Sequence, residues 1–338
     1  MRKKHLQYLC CPECCSELKL IDEDQDQDRI KSGTLQCNHC HVEYPILNYI
    51  PRFCASANYT DDFGFQWNKH SRTQYDSESG IQVSEERFFN ETGWPRKMDG
   101  QIIMEAGSGA GRFTEQAAST GAMVVTFDLS NAVEANYKSN GNKENVLIVQ
   151  ADIFKLPFPR RLFNKVVCIG VLQHTPSPEE AFLSLPAMLK SGGHLVVDVY
   201  EREPGWKHFI RTKYWVRPFT RRCSHIKLYK FCEFWVNLLW PILKLSYQVT
   251  GRRTLSWFML VADYRGVYQL SEDKLKQLSI LDTFDSLAPE YEFPQTIESV
   301  TGWFKRAGLT RIEVKRGYNG IQGSGYKPFS RKAAKADV

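Results

Sequence analysis

From Gln101 onward the chain alternates short apolar runs with helix-like segments, and this order restricts the fold more than any other feature. Strand patterns fall at 101–104, 122–127, 146–150, 165–170 and 194–200. Helical patterns lie between them: one to about Thr120, one from Asn131 and one over 178–189. Such a series predicts an open, mostly parallel sheet, because parallel neighbours need crossover connections. Ligands of such sheets bind in the crevice at the carboxyl ends of the strands. Glu105, Asp128 and Asp152 all fall there. A loop or capping role accounts for any one carboxylate alone; three at successive strand ends point to one shared crevice.

The first strand runs into Glu105-Ala106-Gly107-Ser108-Gly109-Ala110-Gly111-Arg112. A dinucleotide fingerprint requires its third glycine where Arg112 stands, so that match fails. The acidic Glu105 would also repel a pyrophosphate. A cationic ligand without phosphate suits this turn better.

Five segments in this half resemble the class I S-adenosylmethionine (SAM)-dependent methyltransferases, over about 99–203 plus the C-terminal strands. Glu105 to Arg112, with Gly107, Ser108, Gly109 and Gly111, resembles the family's first motif, which lines the methionine moiety. Asp128, followed by Leu129, resembles the acidic ribose ligand; Gln150-Ala151-Asp152-Ile153 resembles the adenine-binding motif, with Asp152 accepting from the amino group and Ile153 packing on the ring. Cys168-Ile169-Gly170-Val171-Leu172-Gln173-His174 resembles the segment beside the transferred methyl, and Lys190 to His194 the turn before the fifth strand. Ser191 stands where the family often has proline, and Asn164 where aspartate is common. The resemblance implies a SAM cofactor and an α/β fold: a seven-stranded, mostly parallel Rossmann-like sheet whose last strand is reversed.

Cysteine adds a second module. Six of the 10 cysteines lie at positions 10, 11, 14, 15, 37 and 40. Cys11-Pro12-Glu13-Cys14 and Cys37-Asn38-His39-Cys40 are paired CxxC knuckles, and four thiolates make a closed, structural zinc site. Cys10, Cys15, His39 and His41 are alternative ligands that the paired spacing disfavours. The acidic stretch 21–33 between the knuckles reads as a solvated excursion of the ribbon hairpin. With Cys40 to Ile46 and Ile50-Pro51-Arg52-Phe53, the first 55 residues resemble the zinc-ribbon activator subunit of certain tRNA and protein methyltransferases. Here the ribbon is fused and is expected to dock in cis.

The expected organisation is a ribbon over 1–55, an aromatic lid over 56–98, a SAM-binding core over 99–203, a helical insertion after the fifth strand over 204–270, the rest of the sheet over 271–328, and a tail. In the lid, Gln66, Trp67 and Arg87 are candidates for touching cofactor or substrate, or the aromatics simply glue the ribbon to the sheet. From Pro204 to Arg253 the insertion mixes eleven cations with aromatics, opposed by Glu233 alone. That mixture suits a substrate cap, a membrane interface, an anionic head group or RNA, with a solvated cap as the plain alternative. The loop near Tyr291 and Gln295 returns over the crevice.

At 338 residues with 42% hydrophobic content the chain can bury a large core, and its formal charge of +6 is too small to announce a nucleic-acid binder. The uncharged run Phe234–Leu243 falls short of the roughly 20 residues of a spanning helix. Glu13 and the cysteines stand where a secretory core would lie, so a cytoplasmic location is expected.

His174, just past the fourth strand, is the best-placed general base, unless it hydrogen-bonds the loop; Asp198 and Tyr200 are weaker candidates. The leading expectation is a methyltransferase acting on a hydroxyl or amine of a small-molecule, glycan or lipid-linked acceptor. An RNA or protein methyltransferase and a non-catalytic SAM-binding scaffold are the alternatives.

Overall fold

A computed structural model describes residues 1–55, 58–203, 205 and 212–329. The N-terminal module is a four-stranded antiparallel sheet, β1 (Leu18–Asp26), β2 (Arg29–Cys37), β3 (Glu43–Leu47) and β4 (Ile50–Pro51), in sequential order. The acidic stretch 21–33 lies in the β1–β2 hairpin, with Asp22, Glu23, Asp24 and Asp28 exposed to solvent. Its carboxylates have partners: Arg2 donates to Asp28 at 2.7 Å and Tyr49 donates to Asp26 at 2.7 Å.

This ribbon docks in cis. Arg52 bridges Gln150 in parallel register, and the Phe53 amide donates to the Gln150 carbonyl at 2.8 Å. Tyr49 stacks on Tyr137 with centroids 5.2 Å apart, and the Arg52 guanidinium reaches both Gln150 and Glu134. Gln150 lies on the outer strand of the large sheet, so the ribbon covers an edge that would otherwise offer unpaired backbone groups.

The large sheet contains β5 (Ile102–Ala106), β6 (Met123–Asp128), β7 (Val146–Gln150), β8 (Phe163–Ile169), β9 (Leu189–Val199), β10 (Thr310–Gly317) and β11 (Gly320–Tyr326), in the order β10-β11-β9-β8-β5-β6-β7. Strands β5 to β9 pair in parallel, and β11 runs antiparallel between β9 and β10. Val125, Phe127, Val149, Val166 and Val197 are buried along these strands, as expected where both sheet faces are covered.

The helices are α1 (Asp61–Lys69), α2 (Asp76–Ser79), α3 (Val83–Thr92), α4 (Arg112–Ser119), α5 (Val133–Asn140) and α6 (Pro178–Ser184). After β9 come α7 (Thr212–Thr220), α8 (His225–Thr250), α9 (Thr254–Phe258), α10 (Glu272–Leu287) and α11 (Ile297–Arg306). The helix expected over 178–189 stops at Ser184, because Pro186 has no amide to donate and sits in the 3₁₀ turn Leu185–Ala187. The following strand begins at Leu189, so Lys190 to Gly193 belong to β9 and not to a preceding turn.

The described part of the insertion is helical over 212–220, 225–250 and 254–258 and irregular over 259–270, and Asp282 to Leu287 form the last turns of α10. Trp206, Lys207, Phe209 and Arg211, and the tail 330–338, lie outside the described residues. Among the described residues no helix is long and apolar enough to cross a membrane.

Candidate active site and metal centre

The glycine-rich turn leaves β5 at Ala106 and enters α4 at Arg112. Gly107 has φ +76°, and a Cβ there would lie 2.2 Å from Cγ2 of Val171; neither the conformation nor the space admits another residue. The turn is fixed from below by a buried polar network. Glu105 accepts from Thr114 at 2.5 Å, Thr114 Oγ1 accepts from Asn136 at 2.9 Å, and Asn140 donates to Asn136 at 2.9 Å and to the Gly111 carbonyl at 3.0 Å. Tyr75 closes the set by donating to the Ala110 carbonyl at 2.6 Å. Burial pushes the Glu105 carboxyl up to about 7.

Above this floor lies a cavity of about 1000 Å³. Gly107, Ser108, Gly109, Arg112, Asp128, Leu129, Ile153, Gly170 and His174 line it. Glu105, Gly111 and Asp152 are not among the lining residues: Glu105 is buried under the turn, Gly111 faces Asn136, and Asp152 accepts from the Phe154 amide at 3.0 Å. Asp128 accepts from the Gly109 amide at 2.8 Å and from the Ser130 amide and hydroxyl at 2.8 and 2.7 Å. Burial raises its pKa against those bonds.

Helix α1 brings Phe63 and Trp67 over the opening. The Trp67 indole lies beside Gly109, and Phe63 meets His174 edge to face at 5.2 Å. Gln66 is buried behind the wall, off the lining. Arg87 lines the cavity and is held on both sides, donating to Glu91 at 2.7 Å and to Asp198 at 2.5 Å. Asp198 also accepts from the Gly170 amide at 2.5 Å. That engagement makes Asp198 an anchor for Gly170 and a poor base, and burial drives the Tyr200 phenol well above its ordinary value.

His174 ends a short 3₁₀ turn (Leu172–His174) and is 8% exposed. Its Nδ1 lies 3.0 Å from the Tyr291 carbonyl. A carbonyl only accepts, so Nδ1 carries the proton and Nε2 keeps a lone pair. Burial holds the ring below its ordinary pKa of 6.5, opposed by Asp285. Asp285 and Asp282 come from α10, three residues apart on one helix face, and burial pushes both up to about 6. Tyr264 donates to Asp282.

Sequence reading missed these two acids, although their spacing within a helical stretch was a usable signal. It also missed Glu292, which accepts from Lys213 at 2.9 Å and from Arg217 at 2.6 Å. Two cations of the insertion are thereby neutralised inside the fold.

In the ribbon, the sulfurs of Cys11, Cys14, Cys37 and Cys40 all lie within 4.8 Å of one another. Three separations are 3.4, 3.5 and 3.7 Å, against an edge of about 3.8 Å for a tetrahedron with zinc–sulfur bonds of about 2.3 Å. The amides of His39 and Cys40 approach the Cys37 sulfur at 3.4 Å, which favours a thiolate. The donor set fits a closed zinc site. Cys10, Cys15, His39 and His41 are not part of the cluster.

Solved structures similar to this chain include a complex between a Haloferax volcanii methyltransferase activator and a methyltransferase, at 11% identity and a TM-score of 0.45 over 79% of this chain and 98% of that one. Another is a SAM-dependent methyltransferase of Methanococcus maripaludis, at 14% identity and a TM-score of 0.44 over 82% of this chain and 98% of that one.

Among curated proteins, the ubiquinone biosynthesis O-methyltransferase of Marinobacter nauticus is 30% identical over 110 residues, 31% of this chain and 46% of that protein. An uncharacterized chloroplastic methyltransferase of Arabidopsis thaliana is 26% identical over 153 residues, 43% of this chain and 42% of that protein. The chain spans less than half the length of either relative. Residues 104–197 match the family described as a methyltransferase domain. That match, on a sheet with the seven-stranded order of a Rossmann-like fold, identifies this segment as a methyltransferase domain.

Proposed function

We propose that the whole chain transfers a methyl group from SAM to a hydroxyl or amine of a small-molecule, glycan or lipid-linked acceptor held in the cavity beside His174. The observation that carries this reading is the pairing of His174 Nδ1 with the Tyr291 carbonyl, which leaves Nε2 as an acceptor in a cavity it lines. The residues present fit the cofactor. Three left-handed glycines shape the turn, and Ser108 keeps a buried hydroxyl oxygen without a partner among the described residues.

In this proposal Gly107, Ser108 and Gly109 would hold the methionine end, Asp128 with Leu129 the ribose, and Ile153 the adenine face, with Asp152 at its rim. Bound SAM supplies an electrophilic methyl on a sulfonium. Trp67 and Phe63 close the cavity against water, and Gly170, fixed by Asp198, sets the wall beside the acceptor. His174 takes the acceptor's proton at Nε2 while Tyr291 steadies the imidazolium through Nδ1–H. Alignment of the acceptor supplies much of the rate. Zinc, which Cys11, Cys14, Cys37 and Cys40 would hold, would be structural, since four thiolates leave no open position for substrate or water.

The acids Asp282 and Asp285 on the cavity wall disfavour a polyanion such as RNA in it. The decisive assay measures S-adenosylhomocysteine release with fractionated small-molecule and lipid extracts. Turnover that appears with an extract and drops at least about a hundredfold in His174→Ala supports the reading; turnover only with RNA or protein, or no turnover with any acceptor, overturns it.

A further inference from the structure

Helix α8 is apolar on two faces whose centres lie about 120° apart around its axis. Its inner face, with Leu228, Cys232, Val236, Leu239 and Leu243, is buried against α10 residues such as Ile280 and Phe284. Tyr229 on that side hydrogen-bonds His70 at 2.7 Å, next to the lid helix α1, so α8 stands over the cavity's roof. The outer face carries Phe231, Phe234, Leu238, Ile242, Leu245 and Val249, which are between 51% and 77% exposed. At about 100° per residue these six fall within a sector of about 80°, and the row runs about 27 Å along the helix. An apolar helix face is normally turned to a core or a partner. Among the described residues nothing covers this row, and a contiguous apolar strip of this length is rare on a free surface.

Charge selects the occupant. Exposed Lys227 and Lys230 stand at one end of the row, and exposed Arg252 follows the other end. Within 212–253 the one acid is Glu233, about 140° around the helix from Leu238. A second copy meeting this face across a two-fold axis would bring cations against cations with no facing carboxylate. A bilayer containing anionic lipid satisfies both features: acyl chains take the apolar row, and head-group phosphates meet the cations. Helix α8 carries Lys227, Lys230, Glu233 and Lys244 and does not qualify as a span, so it would lie on the membrane and not cross it.

We propose that the outer face of α8 is a peripheral docking surface for anionic membrane, which holds the cavity roof at the lipid interface.

The test is cosedimentation of the full chain with vesicles of phosphatidylcholine alone or mixed with phosphatidylglycerol. Binding is expected to the mixed vesicles, weakening with salt. Phe234→Ser/Leu238→Ser/Leu245→Ser is expected to lose at least about a hundredfold in partitioning, and Lys227→Gln and Lys230→Gln about fivefold each. The triple variant should keep its unfolding transition, because these side chains are exposed; the lysine variants give an independent readout if it does not. Absence of binding to mixed vesicles, binding unchanged in both sets of variants, or a dimer in solution that the triple variant converts to monomer overturns the proposal.

Discussion

Replacing Arg87 with methionine leaves two buried carboxylates without their counter-ion. Arg87, Glu91 and Asp198 are 7%, 5% and 1% exposed, and the guanidinium donates to both acids. Removing one partner of such a buried pair costs about 3–5 kcal/mol. Methionine keeps much of the aliphatic stem and loses the guanidinium, which lies 5.4 Å from the Phe113 ring centre, so most of the loss is electrostatic. Burial and Asp198 hold Glu91 up at about 7 even with Arg87 present.

The pH dependence follows from that value. An acid whose folded pKa is raised contributes stability below its unfolded value, near 4.5, and loses it as pH rises through the folded one. Without Arg87 the Glu91 carboxyl rises further. The deficit of Arg87→Met should therefore be widest at about pH 8 and narrow toward about pH 5, where Glu91 takes up a proton. Urea denaturation at the two pH values measures it directly. A deficit under about 1 kcal/mol at the higher pH, or the same deficit at both, would refute the reasoning.

Gly107→Ala should cost about 2–5 kcal/mol, from a left-handed alanine and a Cβ driven into Val171, and thermal unfolding with SAM titration would register both effects. Chelation, or Cys14→Ser with Cys37→Ser, should strip zinc and open the ribbon; retention of one metal per chain in that double variant would remove the four-cysteine assignment. If His174 is the base, turnover should fall only as pH drops below about 6.5, since the ring must be neutral and burial lowers its pKa. His174→Ala should abolish that limb, and a pH profile identical to the native one at unchanged rate would exclude the role.

The parallel order of the core was legible because buried strands and helices differ in length and period, and each core strand lies within a few residues of its sequence pattern. The paired cysteine spacing likewise located four sulfurs that come together. Strand β9 was cut short because Gly192 and Gly193 read as a turn, whereas pairing with β8 begins already at Leu189. The site was legible only where one local segment supplies it. The glycine turn, Asp128 and His174 announce themselves along the chain. Asp282, Asp285 and the Glu292 pairing with Lys213 and Arg217 depend on how a long insertion folds back. The insertion's cation count overstates its free charge for the same reason, since Lys213, Arg217 and Lys244 meet acids lying far from them in sequence.

Equilibrium binding of S-adenosylhomocysteine to the native chain and to Asp128→Ala tests the central claim most directly. Asp128 lines the cavity and ties the glycine turn through the Gly109 amide, so native binding should be saturable and the variant at least about tenfold weaker. No binding by the native chain, or equal affinity in both, would contradict the assignment of this cavity to the cofactor.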